Sequence, residues 1–276
     1  MKTPSKTDVA ALFQSEDAID LGISPESSDI LIANLNDTNL PMCVGTPVEE
    51  LESDDVTIIM FCIDASPSMN PVRDLLITTF NEVMVDGLRG AARKTANSIV
   101  VGGLAFSTRV RPLWGGGFKK LEDLPPLTKA EYDPSQGWST NLFQAQLDAL
   151  TAAITYATEV FSENGTPPKV IVVGLTDGDD NVGDANPDDV KAVVDGLSPE
   201  LWKMPMAVFE TGVRVNGRQI AEKTGFDVFE FAKGQGETDE DIRRRFRHMI
   251  GTLSSSVISA SQAQVNTAPS QTFWQS

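Results

Sequence analysis

The chain has 276 residues, 41% of them hydrophobic and 22% charged, a balance that can fill a sizeable globular core. With 22 Lys and Arg against 39 Asp and Glu, the formal charge is −17; such a surface repels phosphate backbones and excludes nucleic acid as the main partner. Two cysteines and one histidine exclude a structural zinc site of the Cys/His type, and no stretch has the length and apolarity of a membrane span.

Residues 1–52 are acidic, turn-rich and weakly patterned, and read as an extension, with "DVAALFQ" as a short helix and "DILIANL" as a short strand. No apolar leader segment is visible at the start, so a cytoplasmic protein is the expectation. The main domain, residues 53–258, alternates apolar runs with helical patterns. "VTIIMFCI" (56–63), "SIVVGGLAF" (98–106), "KVIVVGL" (169–175) and "MAVF" (206–209) are continuously apolar, as strands buried on both faces of a parallel sheet are. "RVRPL" (109–113) follows the second run after only Ser107 and Thr108, which suits an antiparallel hairpin; its charges and Pro112 suit an edge. "WGGGF" (114–118) reads as a flexible turn, and "FDVFEF" (226–231) alternates as an outer strand does.

Between these runs, Val72, Leu75, Leu76, Phe80, Val83, Met84 and Leu88 repeat at helical spacing behind Asn70 as N-cap and Pro71 in the first turn. Leu142 to Phe161 predicts a second, long helix and residues 186–197 a third. Thr238 and Asp241 fit a capping box, and Ile242, Phe246, Met249, Leu253 and Val257 then make one buried stripe. That stripe places the arginines of "RRRFRHM" (243–249) on the outer face. Residues 259–276 read as a Ser/Gln-rich flexible tail whose Phe273 and Trp274 could serve as a short docking peptide. The strand–helix alternation predicts a doubly wound α/β fold.

Three polar features fall where strands end. Asp64, Ser66 and Ser68 follow the first run at every second position, Thr140 stands before the long helix, and Asp177 follows the third run in "LTDGDDN". In open α/β sheets ligands bind at the carboxyl ends of strands. Two carboxylates and three hydroxyls are hard oxygen donors, suited to a small divalent cation such as magnesium. Asp179 and Asp180 read as a solvated rim beside them. His248, the single histidine, has no nucleophile elbow to serve, so an enzyme is not expected.

In that order and number, Asp64-x-Ser66-x-Ser68, Thr140 and Asp177 within "TDG" resemble the metal-ion-dependent adhesion site of von Willebrand factor type A domains, over residues 54 to 258. The resemblance implies a three-layer, Rossmann-like fold whose central sheet is mostly parallel with one antiparallel edge strand. It implies that Ser66, Ser68 and Thr140 touch the metal (Mg2+, or Mn2+ or Ca2+), that Asp64 and Asp177 act directly or through water, and that a protein partner's Asp or Glu completes the coordination. Pro67 departs from the family, where glycine is usual, and predicts a stiffer loop. "IDASPSM", "LAFSTRVRPL" and "TDGD" look most like the short cytoplasmic domains of bacterial tellurite-resistance and related stress or defence systems, which implies a scaffold. An accessory subunit of a MoxR- or chelatase-type AAA+ ATPase and a metal-dependent hydrolase are the alternatives.

Overall fold

Nine consecutive residues, Val56–Asp64, are buried on both faces, and the molecule is built around the strand they form. The computed structural model describes residues 4–35, 38, 40–93, 98–178, 180–210, 215–262 and 273–274. Its strands are β1 (Val56–Asp64), β2 (Ser98–Phe106), β3 (Val110–Pro112), β4 (Lys119–Lys120), β5 (Lys169–Thr176), β6 (Trp202–Lys203), β7 (Pro205–Phe209) and β8 (Asp227–Phe231). They form one sheet in the order β3-β2-β1-β5-β7-β8, with β4 also on β2 and β6 also on β5. Pairing is parallel except at the β2 edge, where the short β3 and β4 run antiparallel. This is the doubly wound, mostly parallel α/β sheet that the apolar runs predict.

Successive side chains of a strand point to opposite faces, so β1 feeds two cores at once. Ile58, Met60 and Cys62 enter one, and Ile59, Phe61 and Ile63 the other. The helices in chain order are α1 (Lys6–Phe13), α2 (Glu16–Asp20), α3 (Pro25–Asn34), α4 (Arg73–Thr79), α5 (Asp86–Ala92), α6 (Leu142–Asn164), α7 (Pro187–Gly196), α8 (Gly217–Thr224) and α9 (Asp239–Gln262). The first core is covered by α6, α7 and α8 together with α1 and α3; the second by α4, α5 and α9. The helical connection after β1 therefore lies on one face and that after β5 on the other. A crevice opens between the carboxyl ends of these two neighbouring strands, the switch point at which such sheets bind ligands.

The segment before β1 is helical and belongs to the first core, through Val9, Phe13, Leu31 and Leu35 among others. "DILIANL" is not a strand: it lies largely in α3. Ser24 accepts from the Ser27 amide and Pro25 pre-sets the first turn, so the cap outweighs the apolar run's resemblance to a strand. The start of the next helix also moves. A 3-10 turn over Pro67–Val72 leads into α4, with Ser66 and not Asn70 at its N-cap position, and a π-turn over Phe80–Val85 joins α4 to α5. Pro67 occupies the first position of that turn, where a missing N–H leaves nothing unsatisfied.

"WGGGF" is a packed turn. Trp114 (φ 53°) and Gly115–Gly117 all have positive φ, and a Cβ on Gly117 would stand 3.0 Å from the Val44 carbonyl. Phe118 and Val44, and Thr46 and Phe118, exchange backbone hydrogen bonds of 2.8 Å each, tying the turn to the amino-terminal segment. At the start of α9 the Thr238–Asp241 capping box forms as expected. Phe246, Met249, Leu253 and Val257 are buried below it. Arg245, however, is not on the outer face. Its guanidinium lies 4.0 Å over the Phe209 ring and donates to the carbonyls of Glu210 and Phe231 and to Glu237, filling the ends of β7 and β8 with a paired charge. Of the aromatic tail, Phe273 and Trp274 pack on the second core, and the Trp274 Nε1–H donates to the Asp227 carbonyl at 3.2 Å; the other residues after Gln262 lie outside the described ones. No helix among the described residues is long and apolar enough to cross a membrane.

Candidate metal centre

Asp64 is the last residue of β1 and is fully buried. The Ala65 amide extends the ladder to the Phe106 carbonyl at 2.6 Å, and the Tyr132 hydroxyl donates to the Asp64 carbonyl at 2.7 Å, so the strand end is held on both sides. The carboxylate is aimed by two further donors. Its Oδ1 accepts from the Ser66 amide at 2.7 Å, and its Oδ2 accepts from the Thr176 hydroxyl at 2.6 Å. Thr176 was not among the residues singled out in the sequence. It is the last residue of β5, and only the pairing of β1 with β5 brings its hydroxyl across.

The other predicted residues meet around this carboxylate. Ser66 Oγ and Ser68 Oγ are 2.9 Å apart, and Ser68 Oγ donates to Asp177 Oδ1 at 2.8 Å. A hydroxyl has one hydrogen to give, so the bonds run from Ser66 to Ser68 to Asp177. Asp64, Ser66, Ser68 and Asp177 thus form one connected group, although Asp177 is 109 residues from Ser68. Thr140 reaches the same place from the loop before α6. It is buried, and its Oγ1 lies 3.7 Å from the point a Cβ on Gly178 would occupy. Asn181 clasps it, accepting from the Thr140 amide at 2.7 Å and donating its own amide to the Thr140 carbonyl at 2.9 Å.

The loop after β5 also serves the start of α6. Asp180 accepts from the Phe143 amide at 3.3 Å and from the Gly183 amide at 2.8 Å, so it is a helix-capping group as well as part of the rim. Asp179 lies outside the described residues. Asn141 donates to Asp184 at 2.8 Å, which leaves its own Oδ1 buried without a hydrogen-bond partner. His248 is not part of this group; it sits edge-on to Phe231, at the carboxyl end of the edge strand β8.

Electrostatics makes the group uncomfortable without a cation. Burial, then the facing Asp177 carboxylate, push the Asp64 carboxyl up from 3.8 to about 6, against the lowering effect of the Thr176 and Ser66 hydrogen bonds. The same burial and the same two carboxylates raise the Tyr132 phenol well above its usual range and keep it a neutral donor. Burial, followed by Asp64 and Asp148, raises the Cys62 thiol as well, so Cys62 is a small buried hydrophobe and not a thiolate ligand.

The donor set fits a small hard cation. Magnesium takes oxygen ligands at 2.0–2.1 Å in octahedral geometry, which makes neighbouring ligand oxygens about 2.9 Å apart. The Ser66–Ser68 and Ser68–Asp177 separations of 2.9 and 2.8 Å are those of ordinary hydrogen bonds and are compatible with that edge. These atoms could therefore exchange their mutual hydrogen bonds for a shared ion with little movement. Among the described residues no three His, Cys, Asp or Glu side chains converge as a metal cluster. An ion here would rest on two carboxylates and three neutral hydroxyls.

No family model and no curated protein matches the chain. Among solved structures it is similar to a von Willebrand factor type A protein from Catenulispora acidiphila, at 16% identity over 72% of this chain and 42% of that one, with a TM-score of 0.41. It is similar to the ArnB paralog VWA2 from Sulfolobus acidocaldarius, at 14% identity over 75% and 45%, TM-score 0.38. Proximal thread matrix protein 1 from the mussel byssus, with a zinc-occupied MIDAS motif, shares 12% identity over 74% and 49%, TM-score 0.44. The chain spans less than half the length of each of these three.

Proposed function

We propose that this protein is a metal-dependent interaction module of the von Willebrand factor type A kind, which recruits an acidic residue of a protein partner through a magnesium ion. Ser66, Ser68 and Thr140 would hold the ion directly, and Asp64 and Asp177 directly or through water. The observation that carries the reading is the connected group of Asp64, Ser66, Ser68 and Asp177 at the carboxyl ends of β1 and β5, with Thr140 over Gly178 beside it. Bound there, the ion supplies a positive centre on a protein of charge −17.

The protein's own groups have separate tasks in this reading. The Ser66 amide and the Thr176 hydroxyl fix both oxygens of Asp64. Tyr132 anchors the strand end beneath it. Hydroxyl ligands, being neutral, leave the cation electrophilic toward an incoming carboxylate. Binding rather than turnover is proposed because both Asp64 oxygens are already engaged and His248 is not part of the group. A cytoplasmic scaffold in a bacterial stress or defence system is the setting we propose.

Calorimetric titration with Mg2+ is the first test: wild type should bind the ion at one site and Asp64→Ala should not. Pull-downs run in parallel with magnesium and with chelator should retain a partner only for wild type with magnesium. Partner capture that is the same in chelator, or the same with Asp64→Ala, sinks the proposal.

A further inference from the structure

Trp138 is 93% exposed, more than any other large hydrophobic residue described; the next, Ile19, is 61% exposed. It sits two residues before Thr140, which places their Cα atoms within about 7 Å. The loop that carries it is pinned. The Trp138 amide donates to the Thr108 hydroxyl at 3.1 Å, Ser139 Oγ lies 3.1 Å from the same atom, and the Asn141 amide donates to the Ser107 carbonyl at 2.9 Å. Gly137 passes so close to Ser107 that a Cβ there would stand 2.2 Å from its Oγ. A rigid backbone thus holds a large aromatic ring in water at the edge of the metal centre.

Arginines stand on the loops around it. Arg109, exposed in the β2–β3 turn, follows Thr108, whose hydroxyl holds the Trp138 amide, and Arg111 braces the Trp138 loop through Gln136 Oε1 at 3.0 Å and the Asp133 carbonyl at 3.2 Å. Asp180 and Asp184 lie beside the start of α6, and Asp184 lines one cleft with Arg109 and Asn141. In a strongly acidic protein, an exposed arginine and an exposed ring on adjoining loops give an acidic chain a place to lie.

We infer that Trp138 is the specificity anchor of the metal centre. The partner is an acidic protein segment whose metal-binding Asp or Glu has a large apolar or aromatic residue within two positions, packed on the Trp138 indole, and a further carboxylate facing Arg109. This rests on the metal-dependent reading above. Tryptophan on a preordered loop gives large contact area with little entropy lost on binding, and such residues carry most of the affinity of protein interfaces.

The test is an array of hexapeptides with a central Asp and every residue type at each flanking position, probed with the full chain in Mg2+. The best sequences are then measured by fluorescence anisotropy. Wild type should prefer Phe, Tyr, Trp, Leu or Met beside the Asp and gain from a second acidic residue. Trp138→Ala should weaken the best peptide about tenfold and erase the apolar preference while the dependence on Mg2+ remains; Trp138→Phe should keep most of both. Arg109→Gln should erase only the gain from the second carboxylate. Mg2+-dependent binding with an unchanged flanking preference in Trp138→Ala overturns this inference and leaves the metal reading standing. Peptide binding that survives chelator and Asp64→Ala, or no Mg2+-dependent binding at all, overturns the metal reading and this inference with it. A Mg2+-dependent dimer lost in Trp138→Ala, without peptide binding, makes a second copy the occupant and overturns the choice of a separate partner.

Discussion

Two buried carboxylates, one at the end of β1 and one in α6, have different surroundings. Asp64 faces a second carboxylate, Asp177, across a chain of two serines. Asp148, in the second turn of α6, is met by donors: its Oδ1 accepts from Asn34 Nδ2 at 3.0 Å, Thr38 Oγ1 at 3.0 Å and Gln144 Nε2 at 2.9 Å. Asn34 also donates to Thr151 Oγ1 at 3.1 Å and accepts from Gln144 at 2.8 Å, so the network is satisfied from several sides. Both carboxylates accept from neutral donors, but Asp64 also faces a second carboxylate, whereas Asp148 gathers amide and hydroxyl donors that fasten α3 to α6. Burial of an acid therefore does not by itself mark a site. The sign of what faces it does.

The most damaging substitution should be Asp148→Ala. It strips the shared acceptor from three buried donors and should lower stability by on the order of 3 kcal/mol in urea unfolding, while leaving the gain in stability from Mg2+ intact. Loss of that gain as well would mean that the two clusters are one unit.

Next in size is the ion itself. At a Mg2+ concentration of about 100 times its dissociation constant, wild type should gain about 2.7 kcal/mol against unfolding, and Asp64→Ala, Ser68→Ala and Asp177→Ala should gain none. Asp177→Asn removes the facing charge, so metal-free stability should hold or rise even as the response to Mg2+ disappears. A lower metal-free melting temperature in that variant would count against a site poised for a cation.

Gln146, on the same helix as Asp148, extends the comparison to a third case. It is fully buried and both amide atoms lack partners. Gln146→Met should raise stability by about 1 kcal/mol, seen as a higher urea midpoint with an unchanged slope. The smallest effect should come from Trp274→Ala. The ring lies 5.3 Å from Phe229 on the sheet edge, and its loss should cost about 0.5–1 kcal/mol without touching Mg2+ binding.

Much of the fold was legible because the signals are local. The four apolar runs became β1, β2, β5 and β7, and Pro112 marked a true edge. The rhythm of Asp64, Ser66 and Ser68 told of a polar strand end for the same reason. What misled was also local: the apolar stretch in α3 looked like a strand until its Ser24–Pro25 cap is weighed, and the spacing of Phe246 and Met249 does not reveal that Arg245 can turn inward to stack on Phe209.

The sequence alone determined which segments are buried strands, where the long helices between them run, and which oxygen-bearing residues stand at strand ends, since periodicity and capping act within a few residues of the chain. Only the tertiary structure decided that Thr176 orients Asp64 across two strands, that the amino-terminal helices lock onto α6 through Asp148 from 114 residues away, and that Trp138 stands bare beside the site. Those are contacts between segments remote in sequence. They are set by how two faces of one sheet are covered, and no local pattern encodes that.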